Sequence, residues 1–185
     1  HTVNQFFPEF TGNAKEEITI RHLLTHSSAL PGYYQFFLDD NINSKEDVLN
    51  YILKVDLNAQ PETRFEYSDL GFILLSAIIE KVSRRSLDRL AQSWIYNPVG
   101  MANTRYLPPH EEINNIAPTE VDTLYRHRLI HGEAHDENTH LMGGVSGHAG
   151  LFSTAEDVAK YAQLWVDGGV WKGRRLFKEA QINDF

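Results

Sequence analysis

The sequence contains no cysteine, which excludes thiol nucleophiles, disulfides and cysteine-ligated metals. It also lacks any excess of positive charge. Seventeen Lys and Arg stand against 25 Asp and Glu, a formal net charge of -8, so no basic surface is available to neutralise phosphates. Nucleic acid is thereby excluded as a partner, and Arg84-Arg85 and Arg174-Arg175 read as isolated, solvated pairs. Long apolar runs are missing too. The longest, Phe72 to Ile79 broken by Ser76, is far too short to span a bilayer. No His-Glu-x-x-His occurs, and Gly132 interrupts helical spacing between His131 and His135. His127, His131, His135, His140 and His148, near Asp136 and Glu137, therefore read as capping or solvated loop histidines rather than a zinc site. No metal and no cofactor is implied. The run Gly144-Val145-Ser146-Gly147-His148 fails as a Gly-x-Ser-x-Gly nucleophile elbow, because its fifth residue is His.

What is present is an ordinary globular composition, 42% hydrophobic and 23% charged, in a chain of 185 residues that can bury a core as one domain or a large subdomain. Helix signals dominate. Thr19 caps a short helix within Ile18 to His26, and Ser44 with Asp47 forms a capping-box variant ahead of Val48, Leu49, Ile52, Leu53 and Val55. The segment from about Asp69 to Ser83 is apolar on nearly every side, which predicts a central helix. Ser86 opens the next helix, closed by Asn97-Pro98-Val99-Gly100. Met101 to Gly150 reads as mostly irregular, and loops of that length in compact domains are usually functional. Ser153 to Asp157 starts a further helix that Gly168-Gly169 closes, and a last helix begins near Lys178. Strand signals are few, so the predicted class is mainly α.

The most informative stretch is Tyr67-Ser68-Asp69, which sets a phenol, a hydroxyl and a carboxylate at the mouth of the apolar helix. Taken alone, Tyr67 is a core tyrosine at a helix start, and either Ser68 or Asp69 is the N-cap. In its setting, Phe65-Glu66-Tyr67-Ser68-Asp69-Leu70-Gly71-Phe72, the stretch resembles the second catalytic motif of the serine β-lactamase and penicillin-binding-protein superfamily. Other stretches resemble that family in the same order. They are Asn4 to Phe10, then Leu23-Leu24-Thr25-His26-Ser27-Ser28-Ala29-Leu30, with Ala29 where glycine is usual. Next come Pro98-Val99-Gly100-Met101 and Gly150-Leu151-Phe152-Ser153-Thr154-Ala155-Glu156-Asp157. Ile116 to Asp122 and His135 to Asn138 are similar to the branch containing class C β-lactamases, esterases and D-aminopeptidases, some members of which are fused to glycoside hydrolases.

The resemblance implies a serine nucleophile in Ser-x-x-Lys and a third motif, Lys-Thr-Gly or its equivalent. None of the ten serines or the threonines has a lysine three residues on, and no Lys-Thr-Gly or Lys-Ser-Gly occurs. The expectation is that residues 1–185 form the helical subdomain of a β-lactamase-like α/β fold, with the nucleophile and the sheet elsewhere in a longer polypeptide, and are inert alone. The resemblance makes Tyr67 the catalytic base and Asp69 its catalytic neighbour. The family commonly has Asn there, and an ionised Asp only accepts hydrogen bonds. That weakens a β-lactam substrate and leaves esters and cell-wall D-amino-acid peptides. Gly147-His148-Ala149-Gly150 resembles the His-x-Gly form of the third motif but runs into a capped helix. His148 and Ser68 stand as substrate-binding candidates. The implied partners are a small-molecule or peptidoglycan-type substrate and the rest of the same polypeptide, and the implied location is periplasmic or at the cell envelope. The rival expectation is a binding or scaffolding module that keeps the fold without catalysis, and a third is an unrelated helical metal-binding protein.

Overall fold

The computed structural model describes residues 1–183. Helix starts fall where side-chain caps dictate. Thr19 and His22 form a reciprocal capping box at α1 (Ile20–Leu24), and Ser44 accepts the Asp47 amide at α2 (Lys45–Lys54). Helix α3 (Asp69–Ser83) follows Ser68, whose side chain accepts the Gly71 amide. Next come α4 (Leu87–Ala91), a π-helical turn at Gln92–Tyr96 and α5 (Asn97–Val99), ended by Gly100 in the left-handed region. Strand β1 (Arg105–Tyr106), the hairpin strands β2 (Glu120–Asp122) and β3 (Arg128–Ile130), and α6 (Glu137–Leu141) follow. The chain continues with β4 (Leu151–Phe152), α7 (Ala155–Val166) capped by Thr154, a hairpin of β5 (Val170–Trp171) and β6 (Arg174–Arg175), and α8 (Glu179–Asn183).

The mainly α expectation is corrected here. The structure is 44% helical, and among the described residues six strands form three separate two-stranded antiparallel sheets, β1–β4, β2–β3 and β5–β6. Each strand is only two or three residues long, so alternation of polar and apolar residues has no length over which to register. The β2–β3 hairpin is fixed from inside its turn. The Asp122 carboxylate accepts the amides of Leu124, Tyr125 and Arg126 and pairs with the Arg126 guanidinium at 2.8 Å, which holds that carboxyl far below the ordinary range. Arg126 in turn donates to the carbonyls of Ala134 and His135, tying the hairpin to the chain entering α6.

Helix α3 is the axis of the larger core. Leu70, Ile73, Leu74, Leu75 and Ile78 pack with Phe7, Phe10, Leu23, Leu30, Val48 and Ile52. Each fully buried Leu or Ile contributes roughly 1.5–3 kcal/mol. Toward its C-terminal end α3 is not enclosed: Ile79 and Val82 are exposed and line an apolar groove with Phe6, Leu87 and Trp94. A smaller core joins Tyr96, Val99 and Met101 to Leu164 of α7.

Candidate active site

The N-terminus of α3 is held by the segment that follows α1. Ser68 is 1% exposed, and its hydroxyl accepts the Gly71 amide at 3.1 Å while donating to the Pro31 carbonyl at 2.8 Å. The Asp69 amide donates to the Gly32 carbonyl, and the Glu66 amide to the His26 carbonyl. A Cβ on Gly32 would stand 2.8 Å from the Tyr67 carbonyl oxygen, so glycine is what lets the two segments close. Ala29, where the family pattern has glycine, sits at φ 60°, the left-handed region that L-residues occupy at a cost. Replacing Ser68 with Ala should lower stability by about 0.5–2 kcal/mol, the usual range for a lost cap. Thermal melting checks this, and an unchanged melting temperature would show that the hydroxyl holds neither partner.

His26 completes the clamp. Its Nδ1 accepts the Ser68 amide at 3.0 Å. Its ring packs on the rings of Tyr67 (centroids 4.5 Å apart) and Phe72 (5.0 Å), with Phe65 edge-on at 5.7 Å. The Tyr67 side chain lies outside the core formed by residues 1–183: it is 63% exposed, with its backbone pinned on both sides.

Asp69 is half-buried, and burial pushes its carboxyl up from the ordinary range. Asp136 acts in the same direction, while His148 and His26 pull it down. Tyr33 shares this neighbourhood. Its phenol is pushed up to about 12 by burial and by the charges of Asp136, Glu137 and Asp69. Asp136 caps α6 by accepting the Thr139 amide at 2.6 Å. Burial would raise its carboxyl, but hydrogen bonds from His148 and Thr139 outweigh that and keep it low.

Ser68 and His148, expected at the substrate, are both turned inward. The His148 side chain is 3% exposed, with Nε2 3.0 Å from Asp136 Oδ1 and Nδ1 2.8 Å from Ser146 Oγ. Both ring nitrogens are thus engaged, because Asp136 and Ser146 close on the ring from either end. The order Ser146–His148–Asp136 has the connectivity of a hydrolytic triad, but Ser146 is 1% exposed, buried away from the surface. The trio instead fastens the Gly143 to Gly150 loop to α6. Beside it, Asp136, Ala149 and Gly150 contribute to a cavity of about 730 Å³ that also borders Arg105 and Glu112. Of the other loop histidines, His131 binds the Ile116 carbonyl and His140 pairs with Glu133. Glu120, Asp122 and Glu137 bring carboxylates together, though Asp122 is already neutralised by Arg126.

Tyr33 carries no motif. Asp136 lies inside the matched stretch His135 to Asn138, and His26 lies inside another and stands four residues after His22, a spacing that suggests packing and hydrogen bonding beside the cleft. Asp136 and His148 meet only through tertiary packing.

A clamped helix mouth presenting Tyr67 beside Asp69 is one feature of a family match that covers nearly the whole chain. The Beta-lactamase family model matches residues 1–184. Over 208 aligned residues the chain is 31% identical to a Salmonella agona (strain SL483) protein named "Putative D-alanyl-D-alanine carboxypeptidase", covering 99% of this chain and 48% of that protein. Among solved structures, the octameric penicillin-binding protein homologue from Pyrococcus abyssi superposes with a TM-score of 0.70 at 24% identity, covering 99% of this chain and 41% of that one. A class C β-lactamase gives a TM-score of 0.71 at 17% identity, covering 97% and 46%. At these identities the two structures show a common fold. This chain belongs to the β-lactamase family, within the serine β-lactamase and penicillin-binding-protein superfamily. It spans about half the length of the curated relatives it matches.

Proposed function

We propose that this chain is part of a serine hydrolase that works through an acyl-enzyme, with Tyr67 moving the proton and Asp69 beside it. The substrate class is an ester, a β-lactam or a D-amino-acid peptide of cell-wall type, and the site of action is the cell envelope. One observation carries the reading: the Tyr67 ring is exposed while the backbone around it is fixed by Ser68, Gly32 and His26. The core of residues 1–183 does not enclose that ring.

In this reading a serine hydroxyl from the remainder of the polypeptide attacks the substrate carbonyl. Its proton passes to the Tyr67 oxygen and then to the leaving group as the C–N or C–O bond breaks. Water afterwards gives a proton to Tyr67 while its oxygen attacks the acyl ester, and the serine leaves protonated. An unperturbed phenol titrates near ~10, so this role needs a cation next to Tyr67. No Ser-x-x-Lys occurs within residues 1–185. The cation and the nucleophile are assigned to the remainder of the polypeptide.

The test is covalent labelling. Full-length protein is incubated with a fluorescent penicillin, an activated ester and a peptide ending in D-alanyl-D-alanine, and intact mass and peptide mapping locate any acyl group. The expected result is one acylated serine within a Ser-x-x-Lys outside residues 1–185, with no adduct on the isolated segment. An adduct on Ser146, or neither adduct nor turnover with all three classes, would overturn the proposal and favour a non-catalytic module.

A further inference from the structure

His26 occupies an unusual position for a surface-facing histidine. Its backbone is in the left-handed region at φ 55°, and its carbonyl accepts the Glu66 amide. Its ring does two things at once: it packs against the Tyr67 ring and accepts the Ser68 amide on Nδ1. Acceptance at Nδ1 fixes the tautomer, placing the ring proton on Nε2 of a neutral imidazole. An imidazolium donates from both nitrogens and would turn an N–H toward the Ser68 N–H. Ser68 is buried, so its amide would then have no acceptor, and a buried amide without a partner is costly.

We infer that His26 is the positioning residue for Tyr67 and that it works only as a neutral ring, so that protonation releases the Ser68 amide and loosens the Tyr67-Ser68-Asp69 turn. The groups around it are few. The rings of Phe65, Phe72 and Tyr67 face it, and the Asp69 carboxylate at the start of α3 is the one charge that favours its proton. Burial outweighs that charge and holds the imidazole below its ordinary range. The folded state therefore binds fewer protons than the unfolded state between the depressed midpoint and about 6.5. Stability falls as pH falls through that window and levels off below it.

The inference rests on the reading of Tyr67 as the proton-transfer group only where it concerns rate. Two variants separate its parts. His26→Phe keeps a flat ring for packing and removes the acceptor. His26→Asn places a carbonyl oxygen near Nδ1, tolerates the left-handed backbone and does not titrate. In full-length protein carrying ¹⁵N-serine and ¹⁵N-histidine, the Ser68 amide is expected to titrate with the same midpoint as the His26 ring, below 6.5. On the substrate found by the labelling experiment, kcat of His26→Phe is expected to fall about 10–100-fold above the His26 midpoint with KM little changed, as for a misplaced reacting group, and to converge with the wild type below it. His26→Asn should recover most of kcat and lose the acid limb of the wild-type profile. A Ser68 amide that ignores the titration of His26 would overturn the inference, as would His26→Phe with wild-type kcat and an intact acid limb. If no substrate turns over at all, the reading of Tyr67 fails, and the amide titration still decides the role of His26.

Discussion

Replacing Tyr67 with Phe is expected to slow acylation of the full-length enzyme by roughly 10²–10⁴-fold, the span usual for loss of a general acid–base group. The change removes one oxygen and leaves the ring. That ring is largely exposed and meets the His26 ring tilted by 35° with centroids 4.5 Å apart, a packing that phenylalanine keeps. No folded-state partner is orphaned at the backbone, where the clamp uses the amides of Glu66, Ser68 and Asp69. Melting temperature should therefore stay close to that of the wild type while kcat collapses. Stopped-flow acylation with a chromogenic ester and a thermal melt on the same sample make the comparison. Wild-type acylation would remove Tyr67 from the chemistry. A large fall in melting temperature would mean that the hydroxyl is structural.

In the structure the Tyr67 side chain stands outside the core formed by residues 1–183. In the sequence, Tyr67-Ser68-Asp69 before an apolar run is compatible with a tyrosine tucked under the helix and with one presented at its mouth. The helix itself was legible, since Ser68 is a good cap and Leu70 to Ile78 is too apolar for a surface. The caps Thr19 and Ser44 were legible for the same local reason: the cap and the amide it serves lie within three residues. What could not be read was anything that depends on distant segments meeting. His26 accepts an amide 42 residues away, and Asp136 meets His148, 12 positions on, across α6 and the loop after it. The strands escaped notice because a two-residue pairing such as Arg105–Tyr106 with Leu151–Phe152 is specified by its neighbours and not by its own pattern. Ala29 shows the reverse case. It departs from the family pattern, and the left-handed backbone at that position supplies the reason glycine is usual there.

The loop from Gly143 to Gly150 offers the sharpest packing test, because its contact with α3 has no tolerance. A Cβ added at Gly147 would lie 2.2 Å from the Phe72 carbonyl oxygen and 3.0 Å from Ser76 Cβ. The oxygen belongs to the backbone of the central helix and cannot rotate away as a side chain would. In Gly147→Ala the loop must lift or α3 must shift. Lifting the loop pulls on Ser146 and His148, the residues that tie it to Asp136. Shifting α3 moves the mouth that carries Tyr67 and Asp69. Either response costs stability, about 1–3 kcal/mol for an overpacked interior and more if the Asp136–His148 pair is broken as well. Gly143→Ala is the control. Its φ of +87° makes alanine strained, but nothing lies within 4 Å of the added carbon. It should pay only the left-handed backbone cost, about 1–2 kcal/mol. Urea unfolding of both variants, read beside acylation rates, separates the two costs. Gly147→Ala should lose more activity than its stability loss alone explains, and Gly143→Ala should not. Equal unfolding midpoints and equal rates in the two variants would show that the loop does not press on α3, and that His148 and Asp136 do not help to set the geometry of the Tyr67 turn.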